Sequence, residues 1–381
     1  MSIEEIGPFS FSDEQALLMD SAQRFVREDN AAHPIGTGAG PRAFCRERWR
    51  TYADLGWLGI AVRGADGGLD GSLKDVAALM EGVGPGLLPD PIISSAIFAT
   101  ALIAQSPESA LRSTWLNRMA GGDAVVAVAH EEIGVHNPPV VHASDTPAGL
   151  RLHGTSVLSW FAAEADAIIV FGRLAGSNEP ALILVDRATS VVIAESYLLL
   201  DGSRAADLRF EDTLVERSAL LMSGGAAQSA FDIGLDRAIV AHAAMAIGIA
   251  RDAMIMTSQF LKDRVQFGGP IARFQSLQHR VAEMFVQYQD AVSALAFAIE
   301  ACEHGEATER AMMVSAAKVV VGDALKFIGS QAIQLHGAIG LTEEYRVGHY
   351  YRKILMFQGM FGDGGFHFAR YEHSRALREA A

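Results

Sequence analysis

The stretch Arg264-Val265-Gln266-Phe267-Gly268-Gly269-Pro270-Ile271-Ala272-Arg273-Phe274-Gln275-Ser276-Leu277-Gln278 lies between two long helical patterns. It gathers side chains suited to a phosphorylated ring compound. Arg264 offers a fixed cationic fork to a phosphate. Phe267 can face a ring, and Gln275 and Gln278 can hydrogen-bond one. The same glycines and proline also suit an ordinary connection between helices, with Arg264 solvated. On these residues alone both readings stay open.

Downstream, Phe274, Leu277, Val281, Met284, Tyr288, Val292, Leu295, Ile299 and Cys302 step by three or four, one apolar stripe along a helix. Upstream, Asp236 to Lys262 holds few internal charges and is rich in Ala, Ile and Met, the composition of a helix buried in a bundle or at a subunit interface. Thr308 to His336 reads as a third long helix. Before these helices the period changes. Ala124–Val128, Leu150–Leu152, Ala167–Phe171, Leu182–Val185 and Val191–Ile193 are short β-rich runs separated by Gly, Asp, Asn and Pro. No long helix separates them, which argues against a doubly wound parallel sheet. The first 120 or so residues are helical again. Ser12 caps a start at Asp13-Glu14-Gln15, and further helical stretches run over Arg46–Leu55, Leu73–Val83 and Ser94–Gln105. The expected class is α+β: an N-terminal helical domain over 1–120, a middle β-domain over 121–222 and a C-terminal four-helix bundle over 223–381.

Composition narrows the function. The 381 residues are 50% hydrophobic and carry a net charge of −14, which excludes general disorder and argues against nucleic-acid binding. An anionic ligand then needs a local basic site. Cys45 and Cys302 stand apart, so no disulfide framework is expected and a reducing compartment is. The opening MSIEEIGPFSFSDEQ has no apolar core of the signal-peptide kind, and no uninterrupted apolar run is long enough to span a bilayer, so a cytoplasmic protein is expected. Gly36–Gly40 (GTGAG) follows His33-Pro34-Ile35 rather than a strand and makes a poor dinucleotide fingerprint. His130-Glu131-Glu132 with His136 is interrupted by Gly134 and followed by Pro138-Pro139; it reads as a loop, and no metal site is expected.

The Arg264–Gln278 segment resembles the RxxFGxxIxxFQ signature of the acyl-CoA dehydrogenase family. Two further stretches extend the resemblance. Leu55-Gly56-Trp57-Leu58-Gly59-Ile60 followed by Gly67-Gly68-Leu69 is similar to the family's N-terminal helical domain. Gln334-Leu335-His336-Gly337-Ala338-Ile339-Gly340 followed by Glu344-Tyr345 and Arg352 is similar to its C-terminal QxxGGxG element, with Ala338 in place of the second glycine. The resemblance implies FAD bound between the β-domain and the bundle, with neighbouring subunits completing each site. It places Arg264 at the flavin pyrophosphate, Phe267 and Phe274 beside it, and Gln275 near the adenine end. Gln334, Leu335, His336, Gly337 and Ala338 become the strip that lets backbone approach the pyrophosphate. It also implies a homo-oligomer, a dimer or tetramer.

The family's reaction takes two hydrogens from an acyl-CoA. A carboxylate removes the α-proton while a hydride leaves the β-carbon for the flavin, and the thioester carbonyl is polarised meanwhile. The usual glutamate position, counted from Gly337 and Arg352, is Phe361, which has no proton-accepting side chain. Its backbone N–H remains available for the thioester. Some members carry the base on an earlier helix, and Leu235-Asp236-Arg237 is similar to that segment. Asp236 is therefore the first candidate base, against the plain alternative of a helix-capping aspartate. Asp363 is a second candidate that needs a register shift. Arg237 resembles an arginine at the substrate pocket, its alternative being a solvated helix charge. In the middle domain, Val157-Leu158-Ser159-Trp160-Phe161 stands where the family has a Trp-Ile-Thr run.

The expectation is FAD-dependent α,β-dehydrogenation of an acyl-CoA to a 2,3-enoyl-CoA, on a branched, cyclic or steroid-derived acyl group, with an electron acceptor the residues do not identify. Two alternatives accompany it. One is a catalytically impaired subunit of a heteromeric acyl-CoA dehydrogenase that pairs with a related chain. The other is a flavin monooxygenase on the same fold.

Overall fold

A computed structural model describes residues 11–33, 43–130, 140–188, 190 and 192–380. The readings made on the first ten residues, on Gly36–Gly40, and on Glu131, Glu132 and His136 lie outside these residues. In chain order come α1 (Asp13–Ala32), α2 (Arg46–Asp54), α3 (Leu73–Val83), a π-helix (Ile92–Ala99) continuing into α4 (Thr100–Ala104), and α5 (Ala110–Ala120). Strands follow: β1 (Val126–Ala129), β2 (Val141–Thr146), β3 (Gly149–Trp160), β4 (Ala167–Leu174), β5 (Pro180–Asp186), β6 (Ile193–Leu198), β7 (Arg204–Val215) and β8 (Leu220–Ser223). The last part holds α6 (Gly224–Asp263), the short strands β9 (Val265–Gln266) and β10 (Gly269–Pro270), then α7 (Gln275–His304), α8 (Ala307–His336), α9 (Arg346–Gly359) and α10 (Gly364–Ala380). The chain is thus α+β, helical at both ends around a β middle, as its periodicity predicts.

Two compact units divide these elements. One comprises Ala43–Ser72 and Pro89–Ala238. Its sheet runs β6-β7-β3-β2-β4-β5-β8, and β1 pairs with β4 in parallel, Val126 opposite Ala167. The core strands β4 and β5 are buried at nearly every position, so they read as continuous apolar runs rather than alternating ones. Buried or half-buried carboxylates fasten the helices. Asp166 accepts from both Nη atoms of Arg46 at 2.7 and 2.9 Å and from the N–H of Val125. Asp90 accepts from Arg48 and from the Tyr52 hydroxyl at 2.8 Å. Arg112, almost wholly buried, makes a two-pronged pair with Asp66, both bonds 2.8 Å. Strand β3 carries a bulge between Ser156 and Ser159, where Leu158 takes φ +53° just before Trp160 ends the strand.

The other unit comprises Met1–Arg42, Leu73–Leu88 and Ile239–Ala381. Helix α1 opens with Ser12 as the expected cap, and the structure makes it a reciprocal box: Ser12 Oγ accepts from the Gln15 N–H, and the Gln15 side chain accepts in return from the Ser12 N–H. Gln15 also donates to Asp75 on α3 at 2.9 Å. The expected stripe on α7 is narrower in the fold. Met284, Tyr288, Leu295 and Ile299 are buried, whereas Phe274 is exposed and Val281 and Val292 half-buried. An apolar repeat sampled by a straight helix drifts off one line, and only its centre stays covered. Helix α6 is long and apolar enough to cross a membrane, yet 78% of its most apolar window is buried, so it is a core helix. Within this unit α6 passes α3 at close range: a Cβ on Gly248 would stand 2.1 Å from the carbonyl oxygen of Glu81.

Candidate active site

The Arg264–Gln278 segment forms a tight hairpin. Strands β9 and β10 pair Gln266 with Gly269 and Val265 with Pro270, and the turn between them places Phe267 at φ +52° and Gly268 at φ +82°. Two consecutive positive φ values make the type I′ geometry that suits two-residue hairpins. Glycine is at home there, but phenylalanine is not; a non-glycine residue held in this region costs about 1–3 kcal/mol. Arg273 donates to the Phe267 carbonyl and closes the loop. The ring of Phe267 stays 83% exposed, edge-on to Phe274 at 6.0 Å. Arg264 and Gln275 are exposed as well. The strained turn thus holds an aromatic ring and an arginine outward.

The second expected strip lies at the end of α8. His336 is buried, its Nδ1 donating to the Ala332 carbonyl at 2.8 Å. Burial holds its pKa below the ordinary value despite that bond. The ring is therefore neutral at pH 7, and its Nε2 is a buried acceptor with no hydrogen-bond partner. The ring packs on Phe260, one turn before Arg264, at 4.6 Å and on Tyr345 at 5.0 Å. Gly337 follows at φ +63°, and a Cβ there would meet nothing within 4 Å. Gln334 and Ala338 are exposed, while Leu335 is buried. An open glycine, an orphaned acceptor, an exposed cation and exposed rings fit a flavin dinucleotide. Arg352 is turned to another task, donating through both Nη atoms to Glu343 at 2.8 Å.

Phe361 sits in the turn between α9 and α10, nearly buried, at φ +59° with Gly362 at φ +96°. Its carbonyl oxygen accepts from His367 Nε2 at 2.8 Å. Burial is the main cause that lowers the His367 pKa to about 4, so the ring is neutral at pH 7. A carbonyl only accepts, so Nε2 carries the hydrogen and Nδ1 accepts from the Ser315 hydroxyl at 3.2 Å. Nearby, Lys318 Nζ donates to the Phe357 carbonyl and lies 4.0 Å from that ring's centroid. Burial brings its pKa down to about 7, opposed by the charge of Asp363. The His242 ring on α6 meets Phe357 at 4.9 Å and Phe361 at 5.8 Å. Asp363 Oδ1 accepts from the Phe366 N–H at 2.8 Å and so caps α10.

Asp236 is 0% exposed and lies twelve residues inside α6, which begins at Gly224. A capping role is excluded by that position. Arg237 is half-buried beside it. In the same unit Phe231, one turn earlier, stacks on Phe171 at 3.9 Å and meets Phe98 at 5.8 Å, while Gly234 leaves room for Leu102 and Phe98. Phe98 belongs to the π-helix, a rare form frequent at functional sites.

Sequence reasoning passed over Ser315, Lys318, His367 and His242. A signal was present: Lys318 is the one charged residue in the run Val314-Ser315-Ala316-Ala317-Lys318-Val319-Val320-Val321, and His242 is the one polar side chain in Ala238–Ile249. Also unanticipated is a cavity of about 500 Å³ in the bundle unit, lined by Arg27, Glu81, Arg251, Asp252 and Arg346.

Comparison with known proteins agrees with the geometry. Residues 12–123 match the model of the acyl-CoA dehydrogenase N-terminal domain, and residues 225–370 that of the acyl-CoA dehydrogenase C-terminal domain. The acyl-CoA dehydrogenase IpdE2 of Mycolicibacterium smegmatis is 24% identical over 344 residues, covering 90% of this chain and 92% of that one. The acryloyl-CoA reductase (NADH) of Anaerotignum propionicum is 27% identical over 360 residues, covering 90% of each. Among solved structures, a variant of the Tcur3481-Tcur3483 steroid acyl-CoA dehydrogenase superposes with a TM-score of 0.85 at 26% identity, over 97% of this chain and 99% of that one. The ChsE4-ChsE5 complex of Mycobacterium tuberculosis shares the fold with a TM-score of 0.85 at 20% identity over 99% of each chain. With both terminal domains matched, the chain belongs to the acyl-CoA dehydrogenase family and is an FAD-using oxidoreductase acting on acyl-CoA.

Proposed function

We propose that this chain catalyses α,β-dehydrogenation of an acyl-CoA thioester to the 2,3-enoyl-CoA, with Asp236 as the base. The observation that carries the reading is the carboxylate of Asp236, wholly buried in the middle of α6, while Phe361 stands where a glutamate is usual. Asp236 takes the α-proton. The Phe361 N–H donates to the thioester oxygen and makes that proton more acidic. Arg264, Phe267, Phe274, Gln275 and the strip Gln334–Ala338 hold the dinucleotide, and Arg237 lines the acyl pocket. Bound FAD supplies the oxidant that receives the hydride from the β-carbon. The regions 1–120, 121–222 and 223–381 serve as helical front, β middle and bundle. Absence of the usual glutamate, together with the likeness to a steroid acyl-CoA dehydrogenase, favours a branched, cyclic or steroid-derived acyl group.

The test is anaerobic reduction of the FAD-loaded protein by an acyl-CoA series, followed at the flavin absorbance band. Asp236→Asn slows reduction by about 10²–10⁴-fold, and Asp236→Glu keeps part of it. Full speed in Asp236→Asn removes the base assignment. A second reading, a subunit that acts only with a related chain, is favoured by the likeness to the two-protein ChsE4-ChsE5 complex. Flavin bound only on co-expression with such a chain supports it.

A further inference from the structure

Two polar side chains buried in the bundle unit, one of them oriented by a third, spend hydrogen bonds on one short piece of main chain. Ser315 and Lys318 come from α8 and His367 from α10. Lys318 holds the Phe357 carbonyl in the last turns of α9. The Ser315 hydroxyl fixes the His367 ring, and that ring holds the Phe361 carbonyl. From the other side Gln358 reaches back to the Gly322 carbonyl on α8. A lysine is almost never fully buried unless it is paired, and an apolar core would pack α8 against α9 without these groups.

Their common target is a stretch that holds a non-glycine residue at positive φ. Phe361 is in the left-handed region, and the peptide carrying its N–H lies between two anchored peptides. On one side the Met360 N–H bonds to the Met356 carbonyl at 3.1 Å. On the other the Phe361 carbonyl bonds to His367 at 2.8 Å. With both neighbours held, the direction of the Phe361 N–H is set by the positive φ between them.

We propose that His367, oriented by Ser315, and Lys318 are positioning residues: they hold the main chain from Phe357 to Phe361 so that the Phe361 N–H meets the thioester oxygen. The inference rests on the dehydrogenase reading for the ligand, and on this chain's own hydrogen bonds for the clamp. It gives the site a means of polarising the thioester in which the residue at the turn supplies only backbone. Side-chain chemistry at position 361 is then dispensable while the turn is not.

The experiment compares wild type with His367→Leu, His367→Gln, Ser315→Ala and Lys318→Met, all as FAD-loaded full chains. Amide exchange over residues 358–366 reads the clamp directly. The infrared carbonyl stretch of a bound acyl-CoA labelled with ¹³C at the thioester carbon reads polarisation without turnover. In His367→Leu, exchange speeds by about tenfold or more and flavin reduction slows by about tenfold or more, while acyl-CoA affinity stays within about threefold. The carbonyl stretch moves toward that of free acyl-CoA. His367→Gln restores an N–H donor and recovers most of the stretch and the rate. The proposal is overturned if exchange and stretch in His367→Leu equal those of wild type, or if His367→Gln is as impaired as His367→Leu. Should His367→Leu fail to fold, Ser315→Ala and Lys318→Met are judged by the same two outcomes. A wild-type chain that neither shifts the carbonyl stretch nor is reduced by any acyl-CoA overturns the dehydrogenase reading, and amide exchange then still decides the clamp.

Discussion

The carboxyl of Glu81 on α3 lies 3.8 Å from Nη1 of Arg251 on α6, and no hydrogen bond reaches its Oε1. The Nε–H of Arg251 is likewise buried without a partner, as is the hydroxyl of Tyr288 on α7. Burial raises the Glu81 pKa to about 7, and the charge of Arg251 only partly opposes it. Burial, then the Glu81 charge, pushes the Tyr288 hydroxyl up as well. A titratable carboxyl thus sits where two helices approach too closely for a side chain at Gly248.

That carboxyl makes stability depend on pH. A carboxyl raised in the folded state keeps a proton that the unfolded chain has released. Its burial is therefore without penalty below about pH 4.5, and the penalty grows to about 3 kcal/mol as the pH rises through 7. Glu81→Gln removes this slope. Relative to wild type, its melting temperature is higher at pH 8 than at pH 5. A difference that does not change with pH contradicts the account.

Gly248 has no room for a side chain, because the atom in its way is the main-chain oxygen of Glu81 at 2.1 Å. Gly248→Ala must separate α3 from α6 and costs about 3 kcal/mol or more, seen as a lowered denaturation midpoint or insoluble protein. Gly225→Ala is the control. A Cβ there meets nothing within 4 Å, and the variant is at least as stable as wild type.

Phe267 separates stability from binding. Phe267→Gly relieves the left-handed strain and stabilises the FAD-free protein by about 1 kcal/mol. The same change removes an 83% exposed ring and weakens FAD binding, measured by titration of flavin fluorescence. A variant with unchanged FAD affinity assigns the ring some other role.

Arg112 and Asp66 test a buried pair in the other unit. Burial alone raises the Asp66 pKa, but the hydrogen bonds and charges of Arg63 and Arg112 outweigh it and leave the carboxyl below its ordinary value. The stability it contributes is present above about pH 4 and is lost as the pH falls further. Arg112→Met leaves the buried carboxylate with Arg63 alone, 2.8 Å away, and costs about 1–3 kcal/mol at pH 7. The Arg112→Met, Asp66→Asn double variant recovers part of that loss by chemical denaturation.

Most of the architecture was legible from local spacing. The Ser12 cap, the apolar content of α6 and the change of period near residue 121 are encoded within one or two turns or a single strand. The turn after α6 was legible too, since Gly268, Gly269 and Pro270 announce a loop and Arg264 and Phe267 flank it. Whether Asp236 caps a helix could not be read locally, because an aspartate near a helix start and one buried in mid-helix look alike until the helix is seen to begin at Gly224.

By itself, then, the sequence determined the order of helices and strands and the family signatures, since periodicity and side-chain chemistry are properties of neighbours in the chain. Tertiary structure alone decided which polar groups meet. Ser315 and His367 are 52 residues apart, and Lys318 reaches a carbonyl 39 residues away. Glu81 meets Arg251 only because Gly248 lets two helices touch. Burial, which removes the water that would otherwise satisfy these groups, makes their pairing consequential, and burial is a property of the packed chain.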